Sequence, residues 1–148
     1  MKIIIDLQAC QSLSRYRGIG RYSHDLFKEL ALKLLNEKHE LIILLNQDLP
    51  HKHLSDLFLE FNEKNGFTIE YFKILSPCSA DDKKNSFRRT ASEVMREHFI
   101  ADLHPDIVLN TTFLADGWDD DTTISIGSSS KALTNFIIHY CIRFKSCF

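Results

Sequence analysis

Arg17-Gly18-Ile19-Gly20-Arg21-Tyr22 is the stretch of this sequence with the plainest chemical potential. Two glycines one residue apart let the backbone come close to a ligand. A helix opening there offers unpaired N–H groups and the positive end of its dipole to an anion. Arg15, Arg17 and Arg21 add positive charge around the same turn. The chemistry to expect is the holding of a phosphate or diphosphate. Fuller nucleotide signatures do not accompany it: the third glycine of G-x-G-x-x-G would fall at Ser23, and no Gly-Lys-Ser or Gly-Lys-Thr occurs in the chain. A glycine pair between a strand and a helix also serves simply to make the turn, so the local chemistry leaves both readings open.

Other reactive residue types make weaker cases. Asp6 ends an apolar run, where ligands of open α/β sheets gather, but a carboxylate at a strand end commonly just accepts loop N–H groups. His24 has no partner in view, and His51 and His53 stand two apart with no carboxylate or thiol cluster, so no metal site is expected. Asp119-Asp120-Asp121 contains the D-x-D spacing that can hold Mg²⁺ or Mn²⁺, yet an acidic loop is ordinarily just solvated. Cys10, Cys78, Cys141 and Cys147 show no C-x-x-C spacing and follow no secretory signal, which fits unpaired thiols in a reducing cytoplasm.

The elements that must position these residues alternate. Lys2 to Leu7 reads as a buried parallel strand, because its apolar residues are consecutive. The loop through Gln8, Ser12 and Ser14 reads as polar and mobile. Ile19, Tyr22, Leu26, Phe27, Leu30 and Leu34 recur at helical spacing to about Asn36. His39 to Asn46 is a second buried strand, and Leu54, Leu57, Phe58 and Phe61 mark a helix from about His51 to Lys64, stopped by Asn65-Gly66. Phe67 to Ile74 alternates in part, as a strand near a sheet edge would. A polar loop precedes a third helix from about Phe87, on which Phe87, Ala91, Val94, Met95 and Leu103 are expected to face the sheet and Arg88, Arg89, Glu93, Arg96 and Glu97 the water. Arg88 and Arg89 stand against the dipole preference of a helix start, as a solvated basic face or beside an anionic acceptor group or lipid headgroup. Asp106 to Asn110 is a fourth strand and Thr122 to Ile126 a fifth. The fold class is α/β, a Rossmann-like, mostly parallel sheet with flanking helices.

At 148 residues the chain is one domain's worth. Its 18 basic and 20 acidic side chains leave a formal net charge of -2, so general attraction to nucleic acid or to an anionic membrane is not expected. No apolar run approaches the ~20 residues of a membrane-spanning helix.

Ile3-Ile4-Ile5-Asp6-Leu7-Gln8, continued by Arg15-Tyr16-Arg17-Gly18-Ile19-Gly20-Arg21-Tyr22, resembles the N-terminal domain of family 4 glycosyltransferases of the bacterial mannosyl- or rhamnosyltransferase kind. Asn85-Ser86-Phe87-Arg88-Arg89, the stretch from Ala91 to His104-Pro105-Asp106, and Gly117-Trp118 before Ser125-Ile126-Gly127 fit the same pattern in order. The resemblance implies residues 1–127 as the partial first half of a two-domain GT-B enzyme. Such an enzyme moves a sugar from a nucleotide-sugar donor to a glycan or lipid-linked acceptor in cell-surface polysaccharide synthesis. It implies no cofactor, no metal and no nucleic-acid partner, and a cytoplasmic location with room for peripheral contact with the inner membrane. It also places Gly18, Ile19 and Gly20 against the donor diphosphate, with Arg17 and Arg21 as secondary contacts, and assigns no catalytic residue. The two-glutamate motif of the family belongs to its C-terminal half, and His139 does not stand for the family's cleft histidine.

Past Gly127 the resemblance fades, and residues 128–148 read like a shifted reading frame or a gene cut short. On that reading the chain alone is inactive; a stand-alone nucleotide- or phosphate-binding module and a non-functional remnant are the alternatives. Sequencing the locus checks this: a downstream frame encoding the second domain is expected, and an uninterrupted longer frame would overturn the frameshift.

Overall fold

A computed structural model describes residues 1–111 and 121–123, the side chains of 60 and 62–65 excepted. Four strands form one parallel sheet: β1 Lys2–Asp6, β2 Glu40–Asn46, β3 Thr68–Phe72 and β4 Ile107–Asn110, in the order β3-β2-β1-β4. The connections are α1 Gln8–Gln11 and α2 Gly18–Asn36 between β1 and β2, α3 Ser55–Asn65 between β2 and β3, and α4 Ser86–Asp102 between β3 and β4. This is the Rossmann-like sheet that the alternation implies, with β3 at an edge as expected.

Period-two alternation explains how consecutive apolar residues are used. Ile3, Ile5, Leu41, Ile43 and Leu45 pack with Phe27 and Ala31 of α2 and with Leu57, Phe58 and Phe61 of α3. Ile4, Ile42, Leu44 and Phe72 point the other way, toward Ile100 of α4. Both faces are covered, which is why these strands show no polar alternation. The strand order reverses at β1, since the chain moves outward through β2 and β3 and then returns to β4 on the opposite side. The switch point therefore lies beyond Asp6 and Asn110, where such sheets take ligands.

Helix boundaries agree closely with the sequence pattern. The helix expected from His51 resolves into a 3₁₀ turn at Lys52–Leu54 followed by α3, and Gly66, with φ 60°, ends it in a conformation that suits glycine.

Two expectations are corrected. The segment from Gln8 to Tyr16 is not a mobile polar loop but α1 plus a 3₁₀ turn at Leu13–Tyr16, with Gln8, Gln11, Ser12 and Ser14 all buried. Its polar side chains bond to strand ends and to the segment's own backbone, so burial costs them little. Helix α4 is turned relative to the expected face. Phe87 is 80% exposed and Val94 and Met95 also meet solvent, whereas Arg96 and Glu97 are each 2% exposed; Leu103 does pack on the core. The physical reason is Asp6, which shares the α4 side of β1 with Ile4 and draws Arg96 inward. The sequence positions 112–120 and 124–148, which include Gly117-Trp118, Asp119, Asp120, most of the fifth strand and the boundary at 127, lie outside the described residues.

Gly20 is a close-approach glycine. A Cβ built on it would lie 2.8 Å from the Arg15 carbonyl carbon and nearer still to Arg15 Cα and the Ser14 oxygen, all backbone atoms. Gly18 has open space, with nothing within 4 Å. Gly20→Ala is expected to lower stability by about 1–3 kcal/mol, the range for overpacking a tight site, while Gly18→Ala is expected to be neutral or to stabilise by up to about 1 kcal/mol. Urea melts of the two variants check this, and equal midpoints would refute the packing role.

Candidate functional site

The C-terminal ends of β1, β2 and β4 meet in a buried polar network built from the segment after β1. Asp6 accepts from the Gln8 backbone N–H at 2.9 Å and the Gln8 side-chain amide at 3.0 Å; Arg96 supplies Nε at 3.2 Å and Nη2 as a second, closer donor. The Asp6 side chain is 0% exposed and that of Arg96 3%, so the pair is an ion pair held away from water. An ionised carboxylate in such a place needs both the opposite charge and the hydrogen bonds. Thr111 Oγ1 adds a 2.6 Å bond to the Asp6 carbonyl. Asp6 is therefore a structural acceptor, with both carboxylate oxygens engaged.

Two glutamines extend the sheet with side chains. The Gln11 amide donates to the Asn46 carbonyl and accepts from the Asn46 N–H, both at 2.8 Å. The Gln8 amide does the same for Thr123, donating to its carbonyl at 2.9 Å and accepting from its N–H at 3.1 Å. A primary amide presents a donor and an acceptor side by side, as a neighbouring strand would. Asp121 is placed nearby: its carboxylate accepts from the Cys78 N–H at 2.6 Å and from the Ser76 hydroxyl, so this member of the acidic run ties one loop to another.

Beyond this floor stands the start of α2. Arg17 is its N-cap in extended conformation and makes no side-chain cap, and the first helical bond runs from the Arg21 N–H to the Arg17 carbonyl at 3.3 Å. Arg17 and Gly18 are exposed, Ile19 half-buried and Gly20 buried. Arg15 is turned to local use, donating to the Gln11 carbonyl at 3.0 Å and to the Tyr16 hydroxyl at 3.0 Å, with its guanidinium 4.5 Å over the Tyr16 ring. The site residues expected from sequence thus share one turn, but their side chains part: Gly20 and Arg21 line a groove of about 520 Å³ between α2 and α3, and Gly18, Ile19 and Arg17 do not.

Several groups escaped the sequence reading. Gln8 and Gln11 look like loop polarity, and Asn46 like a strand end. Arg96 had a detectable signal, since Arg89, Glu93, Arg96 and Glu97 form a polar stripe as regular as the apolar one, and Asp6 in an apolar strand asks for a cation. His53 is exposed, as the solvated reading has it, and the bond it makes, with Nε2 2.7 Å from the Cys10 carbonyl oxygen, is what the sequence did not show. On α4, burial pushes the Glu93 carboxyl up, Arg89 at 3.4 Å pulls it down, and Glu97 pushes it up again. Burial, reinforced by Asp6 and Asp25, pushes the Cys10 thiol up to about 12, and burial with Asp121 pushes Cys78 up to about 11. Neither thiol is a nucleophile near neutral pH. Among the described residues no group of three His, Cys, Asp or Glu is placed to hold a metal ion, and no helix is long and apolar enough to cross a membrane.

Against this geometry the comparison with known proteins is informative. Over 127 residues the chain is 29% identical to the serotype-specific mannosyltransferase WbdA of Escherichia coli. The similarity is to a glycosyltransferase. It covers 85% of this chain, while the chain spans only 15% of that relative's length. No family model matches the chain, and no solved structure matches it.

The ion pair under the site gives a test of its construction. Arg96→Met leaves a buried carboxylate without its cation and is expected to cost roughly 3–5 kcal/mol, whereas Arg96→Met combined with Asp6→Asn is expected to cost clearly less than the sum of the single changes. Denaturant melts of the four proteins measure this; additivity would show that the two side chains do not depend on each other.

Proposed function

We propose that this chain is the N-terminal, Rossmann-like unit of a GT-B glycosyltransferase of family 4, one that transfers mannose or a related sugar from a nucleotide-sugar donor to a glycan or lipid-linked acceptor in polysaccharide synthesis. The observation that carries the reading is the similarity to a mannosyltransferase over most of the chain. The geometry is compatible with it: the sheet reverses order beyond Asp6, and the exposed first turn of α2 stands past the end of β1. In this reading residues 1–127 form the unit, a second domain holds most of the donor, and the work is done in the cytoplasm or against the inner membrane surface.

The part assigned to this chain is electrostatic. As the sugar departs, negative charge grows on the leaving diphosphate, and N–H groups fixed at the start of a helix stabilise that charge without having to reorganise. Gly18 and Ile19 supply them, Gly18 because it has no side chain to hold the phosphate off, and Arg17 adds a charge at the rim. Gly20 contributes chiefly by letting α2 pack on the 3₁₀ turn that precedes it, so that the first turn is held still. Asp6, Arg96 and the two glutamines fix the base on which that turn stands.

The experiment is a graft. The segment of the E. coli mannosyltransferase that matches this chain is replaced by the matching residues of this chain, and sugar transfer is measured beside a thermal melt. Transfer is expected to persist, and Gly18→Val in the graft is expected to lower turnover about 10²-fold, the loss associated with one donor to a developing charge, with the melt unchanged. A folded graft without transfer would overturn the function, and full turnover with Gly18→Val would overturn the site.

A further inference from the structure

The apolar stripe that α4 turns to water ends among cations. Phe87, Ala91, Val94 and Met95 fall on one side of the helix at the i, i+4, i+7, i+8 spacing, and Phe87 at its first turn is 80% exposed. Lys83 and Lys84, in the 3₁₀ turn that leads into α4, are exposed one turn before Phe87, and Arg88 follows it. From Lys83 to Ser92 the sequence holds four basic residues and no acidic one.

Little on the protein answers this charge. Arg89 is paired with Glu93 at 3.4 Å, and Arg88 bonds to the neutral side-chain oxygen of Asn85 at 2.7 Å. Of the two carboxylates that precede the run, Asp81 accepts from the Ser79 hydroxyl at 2.6 Å and Asp82 from the Lys84 backbone N–H at 2.9 Å. Among the described residues no ion pair reaches Lys83, Lys84 or Arg88. The positive end of the helix dipole adds to the same charge, the reverse of the usual preference. An anion brought to this end relieves the repulsion.

We propose that the N-terminal end of α4 docks on an anionic lipid surface, with Phe87 entering the interface and Lys83, Lys84 and Arg88 meeting headgroup phosphates. A free phosphate would answer the cations and leave Phe87 in water, and an uncharged apolar partner would bury the ring and desolvate the cations. A bilayer interface takes an isolated ring with cations around it and demands no matching shape. The far end of α4 carries His98 and Asp102, 3.6 Å apart, so the anionic surface is met by the N-terminal end alone. With a formal net charge of -2 on the whole chain, the attraction is local. This end of α4 opens beyond β3, and the first turn of α2 beyond β1 of the same parallel sheet, so both lie along one edge of the fold. Docking there brings the glycine turn to the lipid side, where a lipid-linked acceptor is held. That consequence rests on the glycosyltransferase reading, while lipid binding is measured without transfer, so the two fail separately.

The test is cosedimentation of the full chain with vesicles of phosphatidylglycerol mixed with phosphatidylcholine, beside vesicles of phosphatidylcholine alone, with soluble polyglutamate as a competitor. Binding is expected to the anionic vesicles, weakening as salt is raised, and at least about 10-fold weaker to phosphatidylcholine alone. Lys84→Gln is expected to weaken it about 5-fold, the share of one cation near an anionic surface, and Phe87→Ser about 10-fold. Both side chains are exposed, so unchanged thermal melts will exclude unfolding as the cause. Absence of binding to the anionic vesicles, equal binding to phosphatidylcholine, or undiminished binding by Phe87→Ser would each overturn the proposal. Full displacement by polyglutamate at matched charge would assign the patch to an acidic protein and overturn it as well.

Discussion

The buried contact between Asp6 and Arg96 is the constraint on which the rest of this structure depends. It joins the end of the central strand to the middle of α4, two elements 90 residues apart in sequence. Because Asp6 sits on the α4 face of β1, its charge can be met only from that side. The rotation of α4 about its own axis follows from this one requirement. So does the outward position of Phe87, Val94 and Met95, a placement that hydrophobic burial alone would reject, since full burial of such a side chain contributes about 1.5–3 kcal/mol and Phe87, 80% exposed, forgoes most of it. A lone buried carboxylate costs more than those side chains would return.

The same carboxylate governs the start of the β1–α2 connection. By accepting from the Gln8 backbone and its amide, Asp6 fixes the first turn of α1; Gln8 in turn holds Thr123, and Gln11 holds Asn46. From there the chain passes through a 3₁₀ turn against which Gly20 is packed with no room for a Cβ. The exposed first turn of α2 is thus the outermost course of a stack of fixed groups that begins in the core. Preorganisation of this kind is what a group meant to stabilise transient charge requires.

Much of the fold was legible in the sequence, because it is written in apolar runs and their periods. Ile3-Ile4-Ile5 and Leu41 through Leu45 announce strands buried on both faces, and the helical spacing of Phe27, Leu57, Phe58 and Phe61 announces the layer that covers one of them. What was not legible is what depends on tertiary partners. Two stripes of equal regularity run along α4, and nothing local says which is turned inward until Asp6 is set beside it. Gln8, Gln11, Ser12 and Ser14 have the composition of a solvated loop and become interior residues only because strand ends with open backbone groups lie within reach. The glycine pair was legible as a pair, but its two members differ: one is open and one is wedged, and only the neighbouring backbone distinguishes them.

The glutamine amides that cap the strand ends set a chemical standard that size alone would not. Hydrolysis of the Gln8 amide to a carboxylate changes the side chain by one atom type and almost nothing in volume. It would replace the donor that now meets Asp6 and the Thr123 carbonyl with an acceptor, placing like charge against like charge where both side chains are fully buried. A glutamate at position 8 would fit by volume and fail by charge, so the strand ends, rather than the apolar middle, are where the sheet is most exacting about chemical identity.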